Sequence, residues 1–302
     1  MGVRRSRRWH AAAVVLLVAA ALTGCEGSGG GTAPSGAAST TPGATASATP
    51  STPAASSPAP SPTAPREVRT AVYFLHGGKV SAVPRTVKSP STAAEALRAL
   101  LAGPDARERG YERTTAIPDG TALRSVALRA RVATVDLSGR FDDGGGASSM
   151  RARLAQVVYT ATRFPSIGKV AFRLDGKPVT SFGGEGVTLD GPVGRADFEE
   201  ETPVVLVESP LLGDTVDSPL RVRGTANTFE AEFRLKLTDA AGKVVADVLV
   251  MATSGSGTRG TFDTTLTYRS ARAGKGVLTA YVISAENGRV VTVDTVPLDL
   301  KS

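Results

Sequence analysis

Forty residues from Glu26 to Pro65 set the first limit on any fold: 39 of them are Gly, Ser, Thr, Ala or Pro, and none is aromatic or aliphatic beyond Ala. Such a stretch cannot bury enough apolar surface to offset the entropy of ordering its backbone, so it is expected to stay disordered. The core of the folded chain must then come from the residues after it. Eight prolines, all from Pro34 on, stiffen the segment toward polyproline II. Its reach lies between roughly 35 Å as a coil and roughly 120 Å fully extended. It reads as a tether, and its Ser/Thr-Pro richness permits O-glycosylation.

What precedes the tether indicates its attachment. Arg4, Arg5, Arg7 and Arg8 lead an uncharged apolar run from Ala11 to Leu22, short of the ~20 residues that a membrane-spanning helix needs. A basic start, a short apolar stretch and small residues at its end describe a secretory signal, expected over residues 1–24. Leu22-Thr23-Gly24-Cys25 matches the lipobox of bacterial lipoproteins. That match implies cleavage between Gly24 and Cys25, with a diacylglyceryl group on the Cys25 thiol. Cys25 is the only cysteine, so it has no intramolecular disulfide partner, and lipidation accounts for the odd count. The expected place is the extracytoplasmic face of the cell membrane, with residues 25–65 forming the lipidated cysteine and its tether.

Processing also weakens the charge argument. Without the four signal arginines, Lys and Arg fall from 35 to 31 against 28 Asp and Glu, a net charge of +3 rather than +7. The basic residues are scattered rather than striped, so no nucleic-acid partner is expected.

Periodic structure is expected from about Arg69. Ala71 to Leu75 and Val80 to Val87 read as two strands joined by His76-Gly77-Gly78-Lys79, whose glycines suit a tight hairpin. Thr92 and Glu95 form the pattern of a capping box, Leu97, Leu100 and Leu101 share a helical face, and Gly103-Pro104 ends that helix. Ala122 to Leu137 alternates as two strands with a turn near Ala130-Arg131, and Asp142 to Gly146 reads as a flexible loop. A second helix, about Ser148 to Phe164, carries Met150, Leu154, Val157, Val158 and Ala161 at helical spacing before Pro165. Val170 to Leu174 and Val179 to Phe182 add strands around the turn at Asp175-Gly176. The expected unit, residues 66–198, is an α+β domain with two helices on one face of a small sheet.

Six ordered blocks in this region carry a resemblance: Ala71-Val72-Tyr73-Phe74, Leu97 to Pro104, Ile117 to Thr121, Ala133 to Ser138, Gln156 to Thr160 and Phe182 to Gly186. Together they resemble the GerMN domain of sporulation and germination proteins. The resemblance implies envelope-associated assembly work without catalysis.

Glu199-Glu200-Glu201 and Pro203 read as a solvated linker. Beyond it, Val204–Val207, Leu220–Gly224, Ala231–Thr238, Val244–Thr253, Thr261–Tyr268, Gly276–Ser284 and Val290–Leu300 read as seven short strands. That pattern predicts an all-β immunoglobulin-like sandwich over residues 203–302. Ser209-Pro210, Val216 to Leu220, Gly224-Thr225-Ala226, Phe229-Glu230 and Gly260-Thr261-Phe262 resemble the immunoglobulin-like domain of bacterial spore germination. Each of the two regions is long enough for a core of its own.

Chemistry-bearing residues are few. The processed chain keeps one histidine, His76, and no tryptophan. No zinc spacing and no nucleophile elbow occur, and His76-Gly77-Gly78 already fits a turn. No catalytic, cofactor-binding or metal-binding residue is assigned, and the chain is not read as an enzyme. The leading expectation is a non-catalytic assembly module, held to the membrane through Cys25 and meeting an envelope protein, with the cell wall within reach. Two other readings remain: a lipoprotein that binds a wall polymer or small molecule, and a carboxylate-dependent hydrolase.

Overall fold

The structure, a computed structural model, describes residues 66–302 except Ser91, Gly184, Glu185, Ala271 and Ala285. Gly24, Cys25, the signal and the tether lie outside the described residues. An α+β domain is followed by an immunoglobulin-like β-sandwich, and the described residues belong to one compact unit.

The first domain opens with a ten-rung hairpin of β1 (Glu67–His76) and β2 (Lys79–Lys88). Gly77 and Gly78 turn it at φ 56° and 78°, a left-handed pair that glycine adopts without strain. Helix α1 (Thr92–Leu101) follows and buries Ala96, Leu97 and Leu100. Thr92 is the first helical residue, and the Glu95 carboxylate takes Arg98 at 2.6 Å rather than serving as the far half of a capping box. The capping box of this region stands later, at α2 (Ala106–Gly110). There Asp105 accepts the Glu108 N–H and Glu108 accepts the Asp105 N–H, both at 2.8 Å. This one-turn helix is too short for a visible apolar period, which is why it escaped the sequence reading.

β3 (Leu123–Arg129) and β4 (Val132–Leu137) form an antiparallel pair about Ala130-Arg131. Helix α3 (Ala147–Ala161) then returns the chain to β5 (Lys169–Leu174), parallel to β4, and β6 (Lys177–Val179) completes a four-stranded sheet in the order β3-β4-β5-β6. A two-rung ribbon of β7 (Ser181–Phe182) and β8 (Val187–Thr188) follows. The first domain thus uses three sheets where one was expected, because β1 turns its outer edge to α3 instead of to β3.

That edge shows how the helix replaces a strand. Thr160 Oγ1 accepts the Tyr73 N–H at 3.1 Å, and Gln156 Nε2 donates to the Tyr73 carbonyl at 3.2 Å. One residue pair further, Leu75 and Thr114 exchange backbone bonds at 2.8 and 2.9 Å. Buried backbone groups are therefore satisfied without a neighbouring strand. Helix α3 is enclosed on nearly every side, including Arg153, Gln156 and Thr160. Leu154, Val157 and Val158 are fully buried, each contributing roughly 1.5–3 kcal/mol.

The loop at Asp142–Gly146, expected to be flexible, is pinned. Buried Arg153 donates to the carbonyls of Phe141, Asp143 and Gly144 at 2.8, 3.0 and 2.6 Å. Asp142 Oδ1 accepts the Gly183 N–H at 2.7 Å. A helix-borne arginine two turns away fixed what glycine content suggested was loose.

The second domain comprises β9 (Val205–Ser209), β10 (Thr215–Val216), β11 (Leu220–Ala226), β12 (Glu232–Thr238), β13 (Val244–Met251), β14 (Gly260–Leu266), β15 (Gly274–Ile283) and β16 (Val290–Leu300). One sheet runs β10-β16-β15-β12-β13 and the other β14-β11-β9. All seven expected strands are present. The additional β10 is a two-residue parallel rung on β16. Between the sheets Val222, Leu235, Leu237, Leu266 and Leu278 form the sandwich core, and Phe233 meets Phe262 edge-on at 4.8 Å.

Candidate functional site

The two domains meet in a seam that sequence reasoning treated as a linker. Leu206, Leu211 and Leu212, beyond the expected boundary, belong to the apolar core of the first domain. Of Glu199-Glu200-Glu201, Glu200 is the solvated charge expected, its side chain 85% exposed, whereas its two neighbours are held. Glu199 holds Arg259 at 2.8 and 2.9 Å and Asn227 at 2.8 Å, both from the second domain. Glu201 is buried against Arg151 at 2.7 and 3.0 Å, and its carbonyl accepts the Val80 N–H. Glu199 and Glu201 read as solvent-facing because their partners lie 28 to 60 positions away.

At the centre of the seam sits Glu208. In the β9–β11 register Arg223 faces Ser209 and the next residue, Gly224, faces Val207. Glu208 is therefore the extra residue of a β-bulge, which re-aims a side chain out of the ladder. Its carboxylate accepts the Tyr73 hydroxyl and Arg195 Nη1, the latter at 2.8 Å. Arg195 also donates to Thr162 Oγ1 at 2.9 Å and lies over the Tyr159 ring at 4.6 Å. Burial, then the neighbouring Glu208 charge, raises the Tyr73 phenol above its ordinary range. Burial also works against the Arg195 charge, but the oxygens of Tyr73 and Glu208 outweigh it and raise its pKa. Burial would lift the Glu208 carboxyl as well; Arg195 and the Tyr73 hydroxyl outweigh it and hold it below the usual carboxylate range. The cluster is a neutral phenol and a balanced ion pair, which positions two domains.

A second tie lies nearby. Arg113, almost wholly buried, donates to the carbonyls of Tyr111 at 2.7 Å and Thr295 at 2.8 Å, while its Nε has no partner among the described residues. Asp294, also buried, accepts the N–H groups of Val207 at 3.2 Å and Thr295 at 2.8 Å. Burial pushes its carboxyl up to about 6. His76 stands at the hairpin turn with Glu112 3.8 Å away, and burial followed by Arg113 lowers its pKa. Arg69 pairs with Asp214 across the same seam.

Among the described residues no three His, Cys, Asp or Glu side chains converge as a metal group. No described helix is long and apolar enough to cross a membrane. Gly24 and Cys25, the site residues read from sequence, lie outside the described residues.

A different kind of site opens on the second domain. Large exposed apolar side chains among the described residues concentrate there: Val204, Phe229, Val244, Leu249, Met251, Ile283, Val290 and Val291, against Val68 and Leu128 in the first domain. Phe229, Leu249, Ile283 and Val204 line a groove of about 460 Å³ that crosses the start of β12 between β15 and β13, the last strand of the sheet. Glu230 and Glu232, both exposed, stand at its rim, while Arg234 is taken by Asp247 at 3.0 Å and by the Tyr281 hydroxyl at 2.9 Å. The sequence signal was faint: Phe229 follows a turn, and Leu249 and Met251 read as ordinary strand residues.

Residues 71–180 match the family described as Germane, sporulation and spore germination, and residues 204–289 match Gmad2, the immunoglobulin-like domain of bacterial spore germination. No curated protein matches the chain. The first GerMN domain of the sporulation protein GerM from Bacillus subtilis is 25% identical, with 42% of this chain and 98% of that one covered, at a TM-score of 0.36. The tandem GerMN domains of the same protein are 19% identical over 60% of this chain and 59% of that one, at a TM-score of 0.39. The two family matches fix order and position: residues 71–180 form a Germane domain, of sporulation and spore germination, and residues 204–289 the immunoglobulin-like domain of bacterial spore germination.

Proposed function

We propose that the chain is a non-catalytic interaction module of the bacterial envelope, anchored by lipid on Cys25 at the extracytoplasmic face of the membrane and serving sporulation or germination. The observation that carries this reading is the apolar groove over β12, bounded by Leu249 of the neighbouring edge strand β13. An exposed apolar patch of this kind marks an interaction site, and β13 ends its sheet with one side of its backbone ladder open. Val244 to Met251 has no Lys or Pro to blunt that edge. The rim glutamates, with the nearby arginine already taken, select the partner's charge: an extended segment of an envelope protein alternating apolar and basic side chains, added as a further strand.

The test is a photo-crosslinking residue placed at Leu249 in living cells, combined with complementation of a strain lacking the gene. The expected result is a discrete envelope-protein crosslink from position 249 and none from Leu128. A Phe229→Asp/Leu249→Asp variant with an unchanged melt should lose both the crosslink and complementation. Full complementation by that folded double variant would overturn the proposal.

A further inference from the structure

A second groove, of about 560 Å³, runs along the seam between the end of α3 and the outer face of the three-stranded sheet. The geometry points to this groove as a binding site for a phosphate-class oxyanion, gripped by Arg163 and Arg223. Both line the groove, both are exposed, and neither has a hydrogen-bond or ion-pair partner among the described residues.

The charge balance supports an anion. Two carboxylates line the groove, Glu208 and Asp263. Each is already occupied from outside it. Arg195 and the Tyr73 hydroxyl hold Glu208, and Arg221 grips Asp263 with two bonds at 2.7 and 2.5 Å. Four guanidiniums thus face two carboxylates, and the two left over are the ones that open into the groove. In the strand register Arg223 faces Ser209 on one side and Asp263 on the other. Because Arg221 takes Asp263, the Arg223 fork stays free.

The neighbours select the shape of the anion. Ser209, Thr225, Thr253 and Thr261 bring hydroxyls to the same lining. Thr225 Oγ1 already accepts from Arg259 Nη1 at 3.2 Å, which leaves its O–H as a donor. A single guanidinium satisfies a planar carboxylate, whereas forks from two separate elements together with hydroxyl donors suit three or four acceptor oxygens in a tetrahedral array. A phosphodiester or phosphomonoester supplies that array. Met251, the last residue of β13, reaches this groove, but Leu249 does not, so Leu249 variants should leave it unchanged.

The experiment titrates the purified lipoprotein in zwitterionic detergent with inorganic phosphate at constant ionic strength, following arginine Nε–Hε resonances. Saturable shifts at Arg163 and Arg223 are expected, and acetate should not reproduce them. Arg163→Gln and Arg223→Gln, each with an unchanged melt, should weaken binding about tenfold, the loss of one charge-assisted contact. Glycerol phosphate oligomers and phosphatidylglycerol vesicles then separate a wall polymer from a lipid headgroup, and binding to either supports the site. Shifts shared equally by exposed Arg98 and Arg140, or equal shifts with acetate, would show screening alone and overturn the inference.

Discussion

Asp294 allows the seam to be weighed by titration. Its buried carboxyl is pushed up to about 6 in the fold, by burial that outweighs the Val207 and Thr295 N–H groups and the Arg113 charge. An unfolded aspartate titrates near ~3.9. The folded chain therefore binds this proton more tightly than the unfolded one. Asp294 weakens the fold wherever it is fully charged, above pH 6, and the penalty is relieved as pH falls through 6 toward ~3.9. Between pH 7 and pH 5 the relief is about 1 kcal/mol.

His76 pulls the other way in the same window. Its pKa is lowered by burial and Arg113, so the unfolded chain takes that proton first and the fold loses stability as pH falls through the ordinary histidine range. Glu199, Glu208 and Asp263 are all held low; their stabilisation is present above ~4.5 and is lost mainly below the window. Urea unfolding of the mature chain at pH 7, 6 and 5, followed by far-UV circular dichroism, separates the two. His76→Gln should gain about 1 kcal/mol between pH 7 and pH 5, and His76→Gln/Asp294→Asn should be nearly flat. A flat His76→Gln profile, or a gain that survives Asp294→Asn, refutes the assignment of the buried charge.

Three further outcomes are expected. Glu208→Ala strips Arg195 and Tyr73 of their acceptor; breaking a buried pair costs about 3–5 kcal/mol, and with the Arg195 side chain 25% exposed about 2–4 kcal/mol is expected by urea unfolding. A wild-type midpoint would show the pair to be energetically a surface pair. Gly224→Ala places a Cβ 2.0 Å from the Leu206 carbonyl oxygen and should cost at least ~1–3 kcal/mol, with faster amide exchange in β9 as the local readout. Cys25→Ala should abolish lipid labelling and release the protein from membranes; continued membrane retention would remove the anchor from the proposed function.

Much of the fold was legible because its signals are local. Gly77-Gly78 between two alternating runs predicts a hairpin and nothing else. The stripe Met150, Leu154, Val157, Val158 and Ala161 predicts α3 to within a few residues. Turns and strand alternation gave seven strands of the sandwich. What stayed hidden depends on pairs distant in sequence. Arg153 pins a glycine-rich loop, Gln156 and Thr160 stand in for a β-strand, and Glu208 turns on a bulge whose existence depends on how β9 registers against β11. None of these leaves a period or a motif. Tyr73 was a fair clue, a hydroxyl in the middle of the apolar run Ala71–Leu75 that had to meet a polar partner once buried.

The seam also changes what the sequence boundary means. A run of three glutamates followed by threonine and proline has the composition of a hinge, and the family matches end and restart around it. Physically the chain is continuous there, because Leu206, Leu211 and Leu212 complete the core of the first domain while Glu199, Glu208 and Asp214 each bind an arginine across the seam. Isolated surface pairs contribute little, but these stand around buried leucines, and two of their neighbours, Arg113 and Asp294, are charged groups that only the assembled seam encloses. Buried charge of this kind is weak evidence for stability and better evidence that one arrangement is selected over others. The apolar groove and the arginine groove therefore belong to a single body. A partner strand on one and an anion on the other would be held at a fixed separation by the seam, while the tether sets how far that body reaches.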